Sequence, residues 1–213
     1  MEPTERTRVR RLPERGHYDR ETINSILDAG FLCHLGFIHD GKPVVIPTAY
    51  GREGETLYVH GSGASRTQRA LAEGIDLCVT VTHLDGLVLA RSGFHSSMNY
   101  RSVVIFGKGC PITDEARKAH ALGVVSEQIF AGRWAEIRPP SPQELKGTRV
   151  LEVPITEASA KIRTGPPKDD EEDYAMKVWA GVVPVRRGWG EPVPDPRLPK
   201  GITLPEYVRK FRW

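Results

Sequence analysis

The segment YVHGSGASRT, residues 58–67, combines several groups that bind anions in proteins. Gly61 and Gly63 free the backbone after an apolar strand, and Ser65 and Arg66 then begin a predicted helix. Main-chain N–H groups at a helix N-terminus, a hydroxyl and a guanidinium fork together suit a phosphate monoester. A glycine-rich turn with Ser65 as an ordinary helix N-cap explains the same residues. The sequence therefore leaves both a phosphate site and a simple turn open.

A second polar group precedes an apolar strand in FHSSMNYRSVVIFGKG, residues 94–109. Tyr100, Arg101 and Ser102 lead directly into the apolar run at 103–106. An edge strand that begins in solvent accounts for this pattern. The alternative is that these side chains hold a polar ligand against the sheet.

The composition describes an ordinary globular protein and argues against several classes. The chain has 213 residues, of which 39% are hydrophobic and 27% charged, with 30 basic against 27 acidic side chains. This balance predicts no concentrated basic face for nucleic acid, and no run of apolar residues is long enough to predict a membrane span. The N-terminus lacks the apolar core of a signal peptide. We therefore predict a cytoplasmic protein with no nucleic-acid partner and no membrane contact.

Three cysteines, Cys33, Cys78 and Cys110, stand far apart in apolar runs. An odd number without a CxxC pair argues against a disulfide framework and against a zinc site. Free thiols in a reducing compartment fit this pattern better. No metal site is predicted.

Turn signals and apolar periodicity divide the chain into short strands and a few helices. Asp19 is a predicted N-cap, and Asp40-Gly41 between two strand patterns is a strong hairpin signal. A second turn is predicted at Asp85-Gly86. The predicted helices cover residues 20–29, 65–74 and 113–132. The predicted strands cover residues 31–38, 43–50, 56–61, 76–84, 87–91, 99–109 and 148–162.

Hairpin connections and few helices favour a mainly β fold with flanking helices, in which an antiparallel sheet closes into a barrel. Strands and helices do not alternate as a doubly wound nucleotide-binding fold requires. We predict a solvated N-terminal arm over residues 1–18 and one barrel domain over residues 19–185. A C-terminal extension over residues 186–213 is predicted to pack on the barrel or on a partner subunit.

The chain resembles the pyridoxamine 5′-phosphate oxidase-like superfamily of FMN-binding split barrels, in the branch that includes the 5-nitroimidazole-resistance reductases. The oxidases carry a Y-T-N-x-x-S-R-K pattern whose Ser-Arg-Lys grips the FMN phosphate. Tyr58, Ser65 and Arg66 stand in a similar frame, although Thr67 replaces the lysine. The resemblance runs over about residues 35–184 and is carried by DGKPVVIP, LYVHGS, NYRSV and WAGVVP.

Two further motifs support the resemblance. Residues 101–107 are similar to the family's R-Q-V-R-V-E-G, with Ser102 in the position of a glutamine that touches the flavin. Residues 178–181 look like F-W-Q-G, so that Trp179 matches a tryptophan from the partner subunit. The oxidases' substrate-recognising R-x-H has no matching histidine in residues 182–190. Oxidation of vitamin B6 is therefore not expected.

The resemblance implies an antiparallel split β-barrel of the FMN-binding type, with the FMN near the interface of a homodimer. Tyr100, Arg101 and Ser102 would face the polar edge of the flavin, and neighbouring strands would offer main-chain groups to its pyrimidine side. Lys161 and Arg163 lie in a segment similar to one near the family's site. The full set of predicted cofactor-binding residues is Pro47, Thr48, Ala49, Tyr50, His60, Gly61, Ser65, Arg66, Val81, Thr82, Tyr100, Arg101, Ser102, Val103, Lys161, Arg163 and Trp179.

The implied function is that of an FMN-dependent oxidoreductase that reduces a small organic acceptor of the nitroaromatic or quinone type. The flavin N5 would carry the chemistry, so no catalytic side chain is predicted. A flavin carrier or sensor without turnover, and the same fold with haem or a deazaflavin, stay open. Haem would require an axial histidine such as His60 or His95, although a structural hydrogen-bonding role explains His60 equally well. The choice between NADH and NADPH leaves no readable trace in the sequence.

Overall fold

An antiparallel sheet forms most of the structure, a computed structural model that describes residues 1–211 apart from the side chain of Arg66. Its strands alternate apolar and polar residues because each strand buries one face in a common core. The strands of the described residues are β1 (Gly16–His17), β2 (Leu32–His39), β3 (Lys42–Glu53), β4 (Thr56–Ser62), β5 (Asp76–Leu89), β6 (Ser97–Lys108), β7 (Cys110–Pro111), β8 (Thr148–Pro154), β9 (Glu157–Arg163) and β10 (Gly181–Pro184).

The strand order β1-β9-β6-β5-β2-β3-β4-β8-β7 curls back on itself. Strand β7 pairs with β8 at the end of this order, yet in sequence it follows β6 after the single residue Gly109. Strand β10 pairs with β5 outside the path. The sheet is therefore an antiparallel split barrel with flanking helices, which confirms the predicted fold class.

Short helices flank the sheet, and the first begins where the sequence predicts. The Asp19 side chain caps it by accepting a hydrogen bond from Thr22 N at 2.7 Å. This helix buries its apolar face, formed by Ile23, Ile26 and Leu27. The helices of the described part are α1 (Arg20–Asp28), α2 (Arg66–Ala72), α3 (Glu115–Ile129), α4 (Pro142–Gly147) and α5 (Glu206–Arg209).

The inner face of the sheet is filled by aliphatic side chains. Leu35 on β2, Val79 on β5, Ile105 on β6 and Leu151 on β8 are almost completely buried. They form one cluster with the apolar face of α1 and with Leu71 of α2. Because full burial of such a side chain contributes about 1.5–3 kcal/mol, this cluster is the main source of the barrel's stability.

The two predicted turns have different outcomes. Asp40-Gly41 joins β2 to β3 as predicted, with φ of 50° and 70°, and a two-residue hairpin of this kind requires positive φ at both positions. The turn predicted at Asp85-Gly86 is wrong, because β5 continues through it with a register shift between Leu84 and Gly86. Strand β10 pairs with β5 beside this bulge, and that long-range pairing keeps β5 extended.

The single strand predicted over residues 148–162 is also wrong, because the chain breaks there into β8 and β9. Strand β8 ends at Pro154, which pairs with Thr56 of β4, and β9 begins at Glu157. Proline lacks the N–H group that would continue the ladder. Strand β9 pairs with β6 instead, so the break moves the chain to another part of the barrel.

Most residues of the N-terminal arm are exposed, in agreement with the predicted solvated arm, but part of the arm packs on the sheet. Thr7 is buried, and the guanidinium of Arg6 pairs with the carboxylate of Glu157 on β9. The same guanidinium lies 5.1 Å from the centre of the Phe106 ring on β6. Ion-pair and cation–π contacts therefore hold this basic segment against one edge of the sheet.

The C-terminal segment packs on the end of α3 in the same chain. The rings of Phe130 and Phe211 stack with their centres 4.0 Å apart. The Tyr207 hydroxyl donates a hydrogen bond to Glu136 at 2.6 Å. Among residues 1–211, no helix combines the length and the apolar character that a membrane crossing requires.

Candidate functional site

Strand pairing brings several predicted site residues onto the outer face of the sheet, which is turned away from the core. Directly paired residues of antiparallel strands have side chains on the same face. Ser102 pairs with Thr82 on one side and with Lys161 on the other. Pro47 pairs with His34, and β2 in turn pairs with β5. The predicted residues on this face are Pro47, Ala49, Thr82, Tyr100, Ser102, Lys161 and Arg163.

The predicted residues between them face the core, because side chains alternate along a strand. Val81 and Val103 are buried in the aliphatic cluster. Thr48 pairs with the buried Cys33, so its side chain also faces the core. Tyr50 is also buried, and its hydroxyl donates to Leu27 O at 2.5 Å. Burial raises the pKa of Tyr50. Towards a ligand on the outer face, these residues present main-chain atoms only.

Arg101 and Ser102 are adjacent in sequence but lie on opposite faces of the sheet. Arg101 Nε and Nη2 donate to the two carboxylate oxygens of Asp85, each at 2.9 Å. The hydrogen bonds that Arg101 donates to the Asp85 carboxylate raise the pKa of Arg101. The structure therefore brings Tyr100 and Ser102 together and places Arg101 in an ion pair. Sequence reasoning missed Asp85 as a partner because it assigned that residue to a turn.

His60 stands near the end of β4 with a buried ring nitrogen that lacks a partner. Its Nδ1 atom makes no hydrogen bond with the residues that the structure describes. Burial lowers the pKa of His60, so the imidazole is neutral at pH 7. A buried polar atom without a partner is unusual in a folded chain and calls for an explanation such as a bound group.

Gly61, the next residue, faces the side chain of Gln68 on α2. A Cβ atom at Gly61 would lie 2.9 Å from Gln68 Cγ, so the close approach of α2 to β4 depends on glycine here. Gln68 Oε1 is a second buried atom that has no hydrogen-bond partner among the described residues. Two unsatisfied polar groups thus lie where α2 packs on the end of β4, and of these His60 was predicted as a site residue whereas Gln68 was not.

Ser65 is the N-cap of α2. Its Oγ accepts a hydrogen bond from Gln68 N at 3.5 Å, which is the ordinary capping contact that the sequence left open. The side chain of Arg66 lies outside the described part of the structure. Phosphate binding by Ser65 and Arg66 stays a prediction.

Two predicted basic residues lie on β9, beside the hydroxyl-bearing residues of β6. Lys161 pairs with Ser102 in the ladder, and Arg163 pairs with Tyr100. Lys161 Nζ donates to a main-chain carbonyl of the N-terminal arm at 3.3 Å, and Arg163 Nη1 donates to Asn99 Oδ1. Asn99 was not among the predicted site residues although it lies in the NYRSV motif, and the contact between Lys161 and the arm has no local motif.

Trp179 is 66% exposed and lies just before β10. Its ring covers Gly181, where a Cβ atom would be 2.9 Å from the indole. Leu87 pairs with Val183 beside it, Leu89 pairs with Gly181, and all three of these aliphatic side chains are exposed. Exposed apolar patches of this kind mark interaction surfaces. A role for Trp179 at a subunit boundary stays a prediction.

A cavity of about 760 Å³ lies between the end of α3 and the C-terminal segment. Its volume is in the range of ligand cavities, which measure about 300–1,000 Å³. Most of its lining is aromatic or aliphatic, with Arg187 and Glu191 among the charged residues. The apolar lining includes Phe31, Ile129, Phe130, Trp189, Leu204 and Val208.

The fold places this protein in a structural class, the antiparallel split barrels. The predicted polar residues lie on the outer face of its sheet. Residues 19–162 match the pyridoxamine 5′-phosphate oxidase family. The chain belongs to this family, which confirms the resemblance drawn from the motifs. No curated protein sequence matches the chain.

Three solved structures resemble the chain in both sequence and fold. The flavocytochrome Anf3 from Azotobacter vinelandii is 46% identical over 99% of this chain and 98% of its own, with a TM-score of 0.93. A FAD and haem binding protein from Mycobacterium smegmatis is 39% identical over 92% of this chain and 96% of its own, with a TM-score of 0.88. A candidate 5-nitroimidazole antibiotic resistance protein from Bacteroides thetaiotaomicron is 25% identical over 69% of this chain and 86% of its own, with a TM-score of 0.59.

Proposed function

We propose that this chain is a flavin- and haem-binding redox protein, of the same kind as the flavocytochrome that it resembles. The observation that carries the proposal is the 46% identity to that protein over 99% of the chain. The likeness includes the C-terminal segment, which lies beyond the family match at residues 19–162. A second relative, 39% identical, is described as binding FAD and haem.

Haem requires a neutral imidazole with an available nitrogen, and His60 meets this requirement. Burial keeps its ring uncharged, and its Nδ1 atom has no partner among the described residues. His95 and His120 fit less well, because each has its Nε2 atom next to a carboxylate, at 3.2 Å and 2.8 Å respectively. His60 is therefore the residue that we assign to the haem iron.

A flavin requires hydroxyl or amide partners along its polar edge and an apolar surface under its ring. Tyr100, Ser102 and Thr82 supply hydroxyl groups on one part of the outer face, and Pro47 and Ala49 supply small apolar side chains on another. The FMN predicted from the sequence stays a prediction. The relative described as binding FAD favours the dinucleotide form for this chain.

The proposal includes a homodimer in the cytoplasm. Leu32, Ile38 and Val45 are exposed apolar side chains on the same outer face, and a second copy of the chain would cover them. When bound, the flavin supplies two-electron chemistry and the haem one-electron chemistry. The residues of the chain bind and orient these groups and exclude water from them. A small organic acceptor of the nitroaromatic or quinone type completes the proposed oxidoreductase.

The test is a visible absorption spectrum of the protein purified without added cofactor. Both groups are then released by denaturation and identified by mass. Flavin bands together with a Soret band support the proposal, and the mass separates FAD from FMN. Flavin without haem would contradict the haem assignment and leave a flavin reductase or carrier. A colourless protein that takes up neither group would overturn the proposal.

A pair of histidine variants tests the assignment of the iron ligand. We expect His60→Ala to lose the Soret band and to keep its flavin. His120→Ala is the matched control, because it removes an exposed imidazole that is hydrogen-bonded to Glu53. Equal haem content in the two variants would show that His60 does not hold the iron.

A further inference from the structure

The cavity of about 760 Å³ at the end of α3 has walls from three separate parts of the chain. Phe31 comes from just before β2, Phe130 from the end of α3, and residues 187–192, Leu204 and Val208 from the C-terminal segment. None of the predicted cofactor-binding residues in the described part of the chain lines this cavity. It is therefore separate from the cofactor positions that the sequence predicted.

Aromatic rings in mutual contact form one wall of the cavity. The Phe211 ring stacks on Phe130 with centres 4.0 Å apart, and its centre is 5.6 Å from that of Trp189. The Tyr207 ring packs against Phe130 at 5.7 Å in the edge-on arrangement that aromatic pairs favour. Trp189 is still 58% exposed and Leu204 40% exposed, so this wall presents apolar surface to solvent. A flat apolar molecule would cover that surface.

The charged groups that line the cavity favour an anion. Arg187 makes no hydrogen bond or ion pair with the residues that the structure describes. Arg209 adds a second guanidinium, and Glu191 is the one carboxylate in the described lining. The lining therefore has a net positive charge. A guanidinium can bind a carboxylate through two parallel N–H bonds.

The lining does not suit haem. Proteins hold haem iron with a His, Cys, Met or Tyr side chain, and within residues 1–211 no residue of these four types lines the cavity. His60, the proposed iron ligand, lies on β4 and is not part of the lining. The ligand that matches the aromatic wall and the unpaired Arg187 has a planar apolar body and one carboxylate.

We infer that this cavity binds a planar aromatic acid, with the ring of the acid against Trp189 and its carboxylate on Arg187. The inference goes beyond the proposed function, because neither a flavin nor haem is needed to form these walls. A ligand in the cavity contacts α3 and the C-terminal segment at once. Its binding therefore strengthens the packing of that segment on the barrel.

The test is calorimetric titration of the purified protein with two probes of the same shape, the aromatic acid naphthoate and its neutral amide naphthamide. We expect naphthoate to bind more tightly. Arg187→Met should weaken naphthoate binding by roughly tenfold and leave naphthamide binding unchanged, because only the acid gains a charged hydrogen bond. Arg186→Met is the matched control, since Arg186 is the adjacent exposed arginine and does not line the cavity.

Three results of this titration would overturn the inference. The first is a wild type that binds neither probe, and the second is a wild type that binds both probes equally. The third is an equal loss of naphthoate affinity in the two arginine variants, because general attraction to a basic surface would then explain the binding. Arg187 is exposed, so its replacement leaves the aliphatic core intact.

A second pair of variants tests the position of the ring. Trp189→Ala should weaken both probes, because it removes apolar wall from the acid and the amide alike. Phe94→Ala is the control, because Phe94 is an 87% exposed ring that does not line the cavity. Unchanged affinity for both probes in Trp189→Ala would refute this site.

The absorption spectrum of any bound cofactor separates this inference from the proposed function. Naphthoate should leave flavin and Soret bands unchanged during the titration. Release of either cofactor by naphthoate would show that the cavity belongs to the cofactor site, and it would overturn the inference. A protein that carries no cofactor but binds naphthoate through Arg187 would contradict the proposed function and support the inference.

Discussion

Replacing Gly51 by alanine tests how closely α3 packs on the sheet. Gly51 is buried on β3, and a Cβ atom there would lie 2.6 Å from Val125 N and 2.7 Å from Val125 Cα. A third contact, at 2.8 Å, is with the carbonyl carbon of Val124. All three atoms belong to the main chain of α3, so no change of side-chain rotamer relieves the overlap. The helix itself must move away from the strand.

The size of that movement sets the magnitude of the effect. An ordinary contact begins near 3.4 Å, so the helix has to move by about 0.8 Å for the shortest contact to become acceptable. Overpacking a core costs about 1–3 kcal/mol, and a shift of rigid main chain belongs at the upper end of that range. We therefore expect Gly51→Ala to lower the free energy of unfolding by about 3 kcal/mol.

Urea denaturation followed by fluorescence measures this loss as a shift of the unfolding midpoint. With a slope of about 2–3 kcal/mol per molar urea, the midpoint should fall by about 1–1.5 M. Gly107→Ala is the matched control, because its Cβ atom would meet Pro154 O and Val153 Cγ1 at an ordinary 3.8 Å. Equal midpoints for the two variants would refute the close packing of α3 on β3.

Two further predictions concern buried polar groups. Tyr50→Phe removes the hydroxyl that donates to Leu27 O, so stability to urea should fall by about 1 kcal/mol while cofactor content stays unchanged; a loss of cofactor would contradict the core position of Tyr50. Burial lowers the pKa of His83, whose Nε2 atom is 2.9 Å from Ile26 O, so the unfolded chain binds the proton more readily below about pH 6.5. Stability should therefore fall as the pH drops from 7 to 5, and denaturation of His83→Gln across that range should show a shallower fall.

Short sequence patterns correctly predicted the features that a few adjacent residues determine, such as a helix cap and a hairpin turn. Asp19 caps α1, and the Asp40-Gly41 turn has the positive φ angles that its two residues readily adopt. Alternation along the strands was also readable, and it decides which residues share a face. Applied to residues 100–102, it separates Arg101 from its neighbours, as the structure does. The prediction that all three face a flavin ignored this rule.

Long-range pairing explains what the sequence could not reveal. Asp85 and Gly86 form a strong turn signal, yet β10 pairs with β5 beside them and holds the strand extended. The arm was predicted to be solvated because acidic residues stand near its arginines and no aromatic residues are interleaved with them. Its position depends on Glu157 and on the ring of Phe106, which lie far along the chain. Neither contact has a local signature, so only the fold could provide them.

The division of the sheet into two faces limits where a planar cofactor can lie. The inner face is occupied by aliphatic side chains at or near zero exposure, so it offers no space for a ring system. The outer face carries hydroxyls at Tyr100 and Ser102 and cations at the end of β9, and it is apolar at Leu32 and Val45. A flavin has the same asymmetry, with a polar edge, an anionic tail and an apolar ring. A partner chain on the apolar part of this face would therefore exclude water from a ring bound there.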